Sequence, residues 1–273
     1  VERGNGAQFA HDEKFLKVSA STGDTRLMIR EMKLGKSLRL RRIFANGRAL
    51  IADCGPLAED PVAKVRLLAR AGADAVVLTP GLLDVVEDEL GALSVILRID
   101  GGLRRAQQLV SVQAALEMGA EAVQVGIAIH EPGPADVLDR FGRVTEDARR
   151  LGMPVIAAIS GENWFEIARL AADYGADIIQ VRFLPDRLGD RHFLRLTGRQ
   201  FLATLGQQQV RTPLLLEMVY GLMQGAAQGV VLAESALVEP AMLSAIHGLI
   251  HQGISAEEAI EIASASAPRP IQV

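Results

Sequence analysis

The sequence predicts an α/β chain folded as a (β/α)8 barrel, the TIM-barrel architecture, behind an N-terminal extension. Short apolar β runs alternate with amphipathic helical patterns along most of the chain, the order that builds a parallel sheet with helices outside. Near-identical joints recur ahead of strands: Ala71-Gly72-Ala73-Asp74-Ala75, Met118-Gly119-Ala120-Glu121-Ala122 and Tyr174-Gly175-Ala176-Asp177-Ile178, with a looser fourth at Gln224–Gly229. Each puts a glycine just past a helix, where a positive φ is cheap, and then starts a strand. The length of 273 residues suits one such barrel.

Taken in order, residues 1–38 have no clean period and read as an N-terminal arm, leaving 39–273 for the barrel. Strands are expected at Ala49–Asp53, Ala75–Thr79, Ser94–Asp100, Ala122–Ile129, Pro154–Ser160, Asp177–Leu184, Pro213–Val219 and Gly229–Glu234. Helices between them include Pro61–Ala71 and Pro134–Leu151. Ser255 followed by Glu258 has capping-box spacing and starts a last helix.

Composition narrows the function classes. A net charge of -4 argues against a broad nucleic-acid footprint. No run of about 18 apolar residues exists to span a membrane, and the polar N-terminus lacks the pattern of a signal peptide. The single cysteine, Cys54, rules out an internal disulfide and fits a reducing cytoplasm. All five lysines (Lys14, Lys17, Lys33, Lys36 and Lys64) lie in the first quarter, while arginines run on to Arg269.

Several phrases carry a family likeness. They are Arg39-Leu40-Arg41-Arg42-Ile43-Phe44 with Gly47-Arg48, Ala52-Asp53-Cys54-Gly55, Gly101-Gly102, Gly152-Met153-Pro154, and Ala176-Asp177-Ile178-Ile179. On these residues the chain from Leu38 to Ile262 resembles the DeoC/FbaB-type class I aldolases. That family includes archaeal-type fructose-bisphosphate aldolase, aminodideoxyheptulosonate synthases and an autoinducer-processing thiolase. The resemblance implies the barrel, a carbonyl substrate, an iminium-forming lysine on strand six and association of barrels into a homo-oligomer.

The site positions then depart from the family. Its Asp-Ile-Val-Lys corresponds to Asp177-Ile178-Ile179-Gln180, and an amide nitrogen cannot form a Schiff base. The phosphate-binding Gly-Gly after strand seven is aligned with Glu217-Met218, and the Gly-Arg after strand eight with Ala233-Glu234. Both changes put a carboxylate where a phosphate would sit. The tyrosine after strand five has no counterpart in Ala157–Ser160, whereas the acidic residue of strand one remains as Asp53.

Active sites of such barrels sit at the C-terminal ends of the strands. There the expected mouth collects Asp53, Arg98, Asp100, His130, Glu162, Gln180, Arg182, Glu217, Tyr220 and Glu234. Asp53 is the candidate acid/base, or else it only pairs with Arg182 or Arg98. If Gln180 points inward, strand alternation points Arg182 inward too, one layer higher. Arg182 then either clamps a carboxylate or phosphate or bridges to an acidic neighbour. Arg98 and Asp100 share a face and are expected to neutralise each other. Together with His130, Glu217 and Glu234, they complete the substrate-binding set.

Asp53, Asp100, Glu217, Glu234 and His130 invite a divalent metal, although no local ligand motif accompanies them. No cofactor is expected. Cys54, of opposite parity to Asp53, reads as a small apolar filler. His247 and His251, four apart on the last barrel helix, read as structural. Two readings of function stay open. One is a lyase-like enzyme acting on a small polar or anionic carbonyl or hydroxy substrate without an iminium. The other is an inactive homologue kept for ligand binding or assembly.

Overall fold

In the computed structural model a helix at Leu34–Ile43 (α1) leads into β1 (Ala49–Asp53), α2 (Pro61–Arg70), β2 (Ala75–Leu78) and α3 (Pro80–Val86). The alternation continues through β3 (Ser94–Arg98), α4 (Val112–Glu117), β4 (Ala122–Ala128), α5 (Pro134–Leu151), β5 (Val155–Ser160) and α6 (Trp164–Asp173). It ends with β6 (Ile178–Arg182), β7 (Gln200–Leu205), α7 (Thr212–Gln224), β8 (Gly229–Leu232), α8 (Pro240–His247) and α9 (Ala256–Ala265). The strands pair in parallel in chain order, and β8 pairs with β1 to close the barrel. The structure describes residues 34–55, 60–101, 108–128, 134–161, 163–182, 199–206, 212–225, 227–233 and 239–265. All of these lie in one unit, Lys33–Val273.

The joints do what their sequence implies. Gly72, Gly119 and Gly175 have φ of 77°, 81° and 107°, values a side chain resists. Gly229 has a different reason to be glycine. A Cβ there would lie 2.2 Å from the carbonyl oxygen of Ala49, where the last strand closes on the first. The capping box of the last helix also forms: Ser255 N–H donates to Glu258 Oε2 at 2.8 Å and Glu258 N–H to Ser255 Oγ at 3.2 Å.

Strand seven is not where the sequence pattern put it. Pro213–Val219 lies inside α7, and Gln200–Leu205 forms the strand instead. The apolar run Pro213–Val219 mimics a buried strand over seven residues. Extended to Gln224, it buries Leu215, Leu216, Val219, Leu222 and Met223, the repeat of a helix face. Proline near a helix start costs nothing, because the first N–H groups have no partner there anyway.

Alternation divides each strand between two cores. Leu50, Val76, Leu97, Val125, Ala157 and Ile179 pack with the helices in one apolar cluster. The residues between them face into the barrel. At the N-terminal face α1 is tied to the strand entries. Lys36 Nζ donates to both oxygens of Asp177 at 2.8 and 3.1 Å, and Asp177 also accepts the Val155 N–H at 2.9 Å. Arg39 donates to the Ala120 carbonyl at 3.0 Å and to Glu121 at 3.2 Å, and Arg42 to Glu121 at 2.5 Å.

Candidate active site at the C-terminal end of the barrel

A polar chain crosses the barrel interior. Asp53, the last residue of β1, takes the Gly55 N–H on Oδ1 at 3.0 Å and the Arg98 guanidinium on Oδ2. Arg98, at the end of β3, donates from Nε to Gln124 Oε1 of β4 at 2.9 Å. Gln124 Nε2 donates to Gln180 Oε1 of β6 at 2.9 Å, and Gln180 Nε2 donates to Thr204 Oγ1 of β7 at 2.9 Å. Five side chains on five strands are thereby joined by four hydrogen bonds.

The chain has one direction, set by chemistry. Arginine carries only donors, so the Gln124 oxygen must face it and the Gln124 amide nitrogen must face Gln180. The same logic orients Gln180 towards Thr204. Gln124 and Gln180 are only 2% and 5% exposed, so an unmade bond at either would leave a polar group dry. Both amides are therefore locked by register as well as by hydrogen bonding.

Asp53, Arg98 and Gln180 come together in this way. Arg182 caps β6 and is exposed; among the described residues it makes no hydrogen bond or ion pair. Asp100 does not pair with Arg98, as its shared face suggested. It is buried two residues beyond β3 and accepts the Gly126 N–H at 2.6 Å and Arg140 Nη1 of α5 at 3.0 Å. Arg140 Nη2 in turn holds the Gly126 carbonyl at 2.9 Å. Asp100 thus fastens α5 to the barrel, and the guanidinium of Arg98 goes to Asp53 and Gln124.

Glu217 is also corrected. With strand seven at Gln200–Leu205, Glu217 and Tyr220 sit exposed on α7, on the outer ring of helices. The residue following β7 is Gly206, so the proposed carboxylate-for-glycine exchange at that strand end falls away. His130, Glu162 and Glu234 lie outside the described residues, as do the segments 56–59, 102–107, 129–133, 183–198, 207–211 and 234–238 at the strand ends. Cys54 is buried on the helix-facing side of β1, away from the Asp53 carboxylate.

Among the described residues no group of three or more His, Cys, Asp or Glu is arranged to hold a metal. None of their helices is long and apolar enough to cross a membrane. Of the two described lysines, Lys36 sits at the N-terminal face and Lys64 in the first turn of α2, the helix that follows β1. Gln124, Thr204 and Arg140 were not singled out from sequence. A glutamine inside the apolar run Ala122–Ile129 was the available signal for the first, because buried polar residues need partners.

Comparisons with known proteins converge on this barrel. A family model described as DeoC/LacD family aldolase matches residues 27–185. An uncharacterised aldolase of Saccharolobus solfataricus is 24% identical over 269 residues, covering 84% of this chain and 99% of its own. A 2-amino-3,7-dideoxy-D-threo-hept-6-ulosonate synthase of Halobacterium salinarum is 24% identical, covering 83% and 95% respectively. Among solved structures, an archaeal fructose 1,6-bisphosphate aldolase superposes with a TM-score of 0.68 at 21% identity, covering 80% of this chain and all of its own. A fructose-bisphosphate aldolase from Slackia heliotrinireducens gives 0.71 at 14% identity, covering 92% and 95%.

Proposed function

Because the chain belongs to the DeoC/LacD aldolase family, we propose that it is a divergent, lyase-like member working without an iminium. Its substrate is a small polar or anionic carbonyl or hydroxy compound. One observation carries this reading: Gln180, at the position where the resemblance puts the family's lysine, has its amide engaged on both sides by Gln124 and Thr204. No lysine follows Lys64 in the sequence.

In an aldol cleavage the hydroxyl proton of a β-hydroxy carbonyl passes to a base, the carbon–carbon bond breaks, and its electron pair ends on the carbonyl oxygen as an enolate. Asp53 is the base in this reading, a role worth roughly 10²–10⁴-fold in rate. Without an iminium the enolate oxygen needs donors already in place, each worth roughly 3 kcal/mol. Arg98 and the second N–H of Gln180 supply them. Arg182 adds a positive field above Gln180. Glu217 has no part in the mechanism.

The second reading, a non-catalytic descendant kept for ligand binding or assembly, is favoured by the closed ion pair of Asp53 with Arg98. A base already paired to arginine must exchange that partner before it takes a proton. The homo-oligomer expected from the family belongs to either reading and is checked by light scattering. The deciding test is turnover: purified protein is screened for retro-aldol cleavage of β-hydroxy carbonyl compounds. The lyase reading expects release of a carbonyl product that Asp53→Asn cuts by at least about a hundredfold. The inactive reading expects no product from either protein.

A further inference from the structure

We infer that Arg182 and Thr204 form a carboxylate-binding subsite, so that the substrate class narrows to oxo- or hydroxy-carboxylic acids. This rests on the barrel mouth being the substrate site, as proposed above. The two residues are direct partners in the parallel pairing of β6 with β7, so their side chains leave the sheet on the same face. Gln180, two residues before Arg182, is on that face too, and its amide reaches Thr204.

The direction of the polar chain decides what Thr204 can offer. Its oxygen is used as an acceptor by Gln180, which leaves its hydroxyl proton free to donate. Among the described residues that proton has no acceptor. Arg182, beside it, is an exposed guanidinium with no ion pair among the described residues, whereas Arg98 is compensated by Asp53. One unit of positive charge and two neighbouring donor groups therefore stand together at the end of the chain. A carboxylate brings one negative charge and two coplanar oxygens, which is the complement. A phosphate dianion brings more charge and a third oxygen than this pair can match.

The chain also gives the substrate an orientation. A molecule held by its carboxylate at β6 and β7 lies over Gln180 and Gln124 and presents its other end to Arg98 and Asp53. Carboxylate recognition and proton transfer are thus at opposite ends of one hydrogen-bonded row.

Binding of pyruvate, lactate, methyl pyruvate and inorganic phosphate to the full chain, followed by calorimetric titration, tests the subsite. The wild type is expected to bind pyruvate or lactate saturably and in preference to the ester and phosphate. Arg182→Gln and Thr204→Val are each expected to weaken the acid about tenfold or more, the loss for a hydrogen bond to a charged group. Arg182 is exposed, so its variant should fold, whereas Thr204→Val leaves one Gln180 N–H without its acceptor; circular dichroism checks both.

The subsite is overturned by binding that prefers phosphate, by acid binding undiminished in Arg182→Gln, or by no binding of either acid. The lyase reading fails separately. If the acids bind through Arg182 but no β-hydroxy carbonyl acid is cleaved, the subsite stands without the enzyme. If cleavage persists unchanged in Arg182→Gln, the enzyme stands without the subsite.

Discussion

Gln124 Nε2 donates to Gln180 Oε1 at 2.9 Å inside the barrel, linking β4 to β6 across the intervening β5. Both side chains are almost fully buried, so each amide depends on the other for a partner. Gln180→Leu leaves a Gln124 donor and the Thr204 contact unmade and should lower unfolding free energy by roughly 1–3 kcal/mol. The loss in the double variant with Gln124→Leu should be smaller than the sum of the single losses. Urea denaturation of the four proteins in the cycle measures the coupling. Additive losses would show that the two amides do not depend on each other.

The ion pair of Asp100 and Arg140 makes a separate prediction. Both side chains are nearly buried, 1% and 8% exposed. Arg140→Met removes the cation from a carboxylate that cannot reach water, and should destabilise the fold by roughly 3–5 kcal/mol. Denaturant midpoints check this, and ligand binding measured below the unfolding range should survive, because Asp100 is not part of the row that includes Asp53.

The Glu217→Lys variant should change neither stability by more than about 0.5 kcal/mol nor any activity, because the residue is exposed on α7. Thermal unfolding and the cleavage assay read this directly. A large loss of activity would return Glu217 to the mouth and contradict the strand order.

Acid sensitivity should come from the N-terminal face. His247 and His251 stack with ring centroids 4.8 Å apart, and His251 Nε2 meets Asp74 Oδ2 at 2.9 Å. Burial, then the charge of His251, holds His247 below the ordinary histidine range, against an opposing pull from Asp74. Arg48 from the β1 entry reaches the Ile250 carbonyl close by. Because the folded state resists protonating His247, its contribution is fully present above the unfolded value near 6.5 and is lost as pH falls towards the depressed folded one. His247→Gln should therefore flatten the decline in stability below about pH 6.5. Melting temperature as a function of pH for both proteins checks the sign.

How much of this was legible in the chain follows from range of interaction. β1 falls at Ala49–Asp53, the residues its apolar run marks, and the glycine joints depend on neighbours alone. β7 was missed because Gln200–Leu205 follows an arginine-rich stretch that reads as surface, and α7 supplied a strand-like decoy. Gln180 falls on β6, the strand on which the resemblance set it. Its partners were not legible, because Gln124 and Thr204 meet it only through the register of three strand pairs. Arg98 and Asp100 share a strand face, yet residues two apart on a strand stand about 7 Å apart, too far to pair without bending. Each found a closer partner from another element.

The proposed chemistry proceeds without a lysine iminium. The direct measurement is borohydride reduction of the wild-type protein in the presence of pyruvate and dihydroxyacetone phosphate, followed by intact-mass and peptide mass spectrometry. The wild type is expected to keep its mass, and an adduct is expected only when Gln180→Lys puts an amine at that position. A stable reduced adduct on any lysine of the wild type would contradict the proposed chemistry.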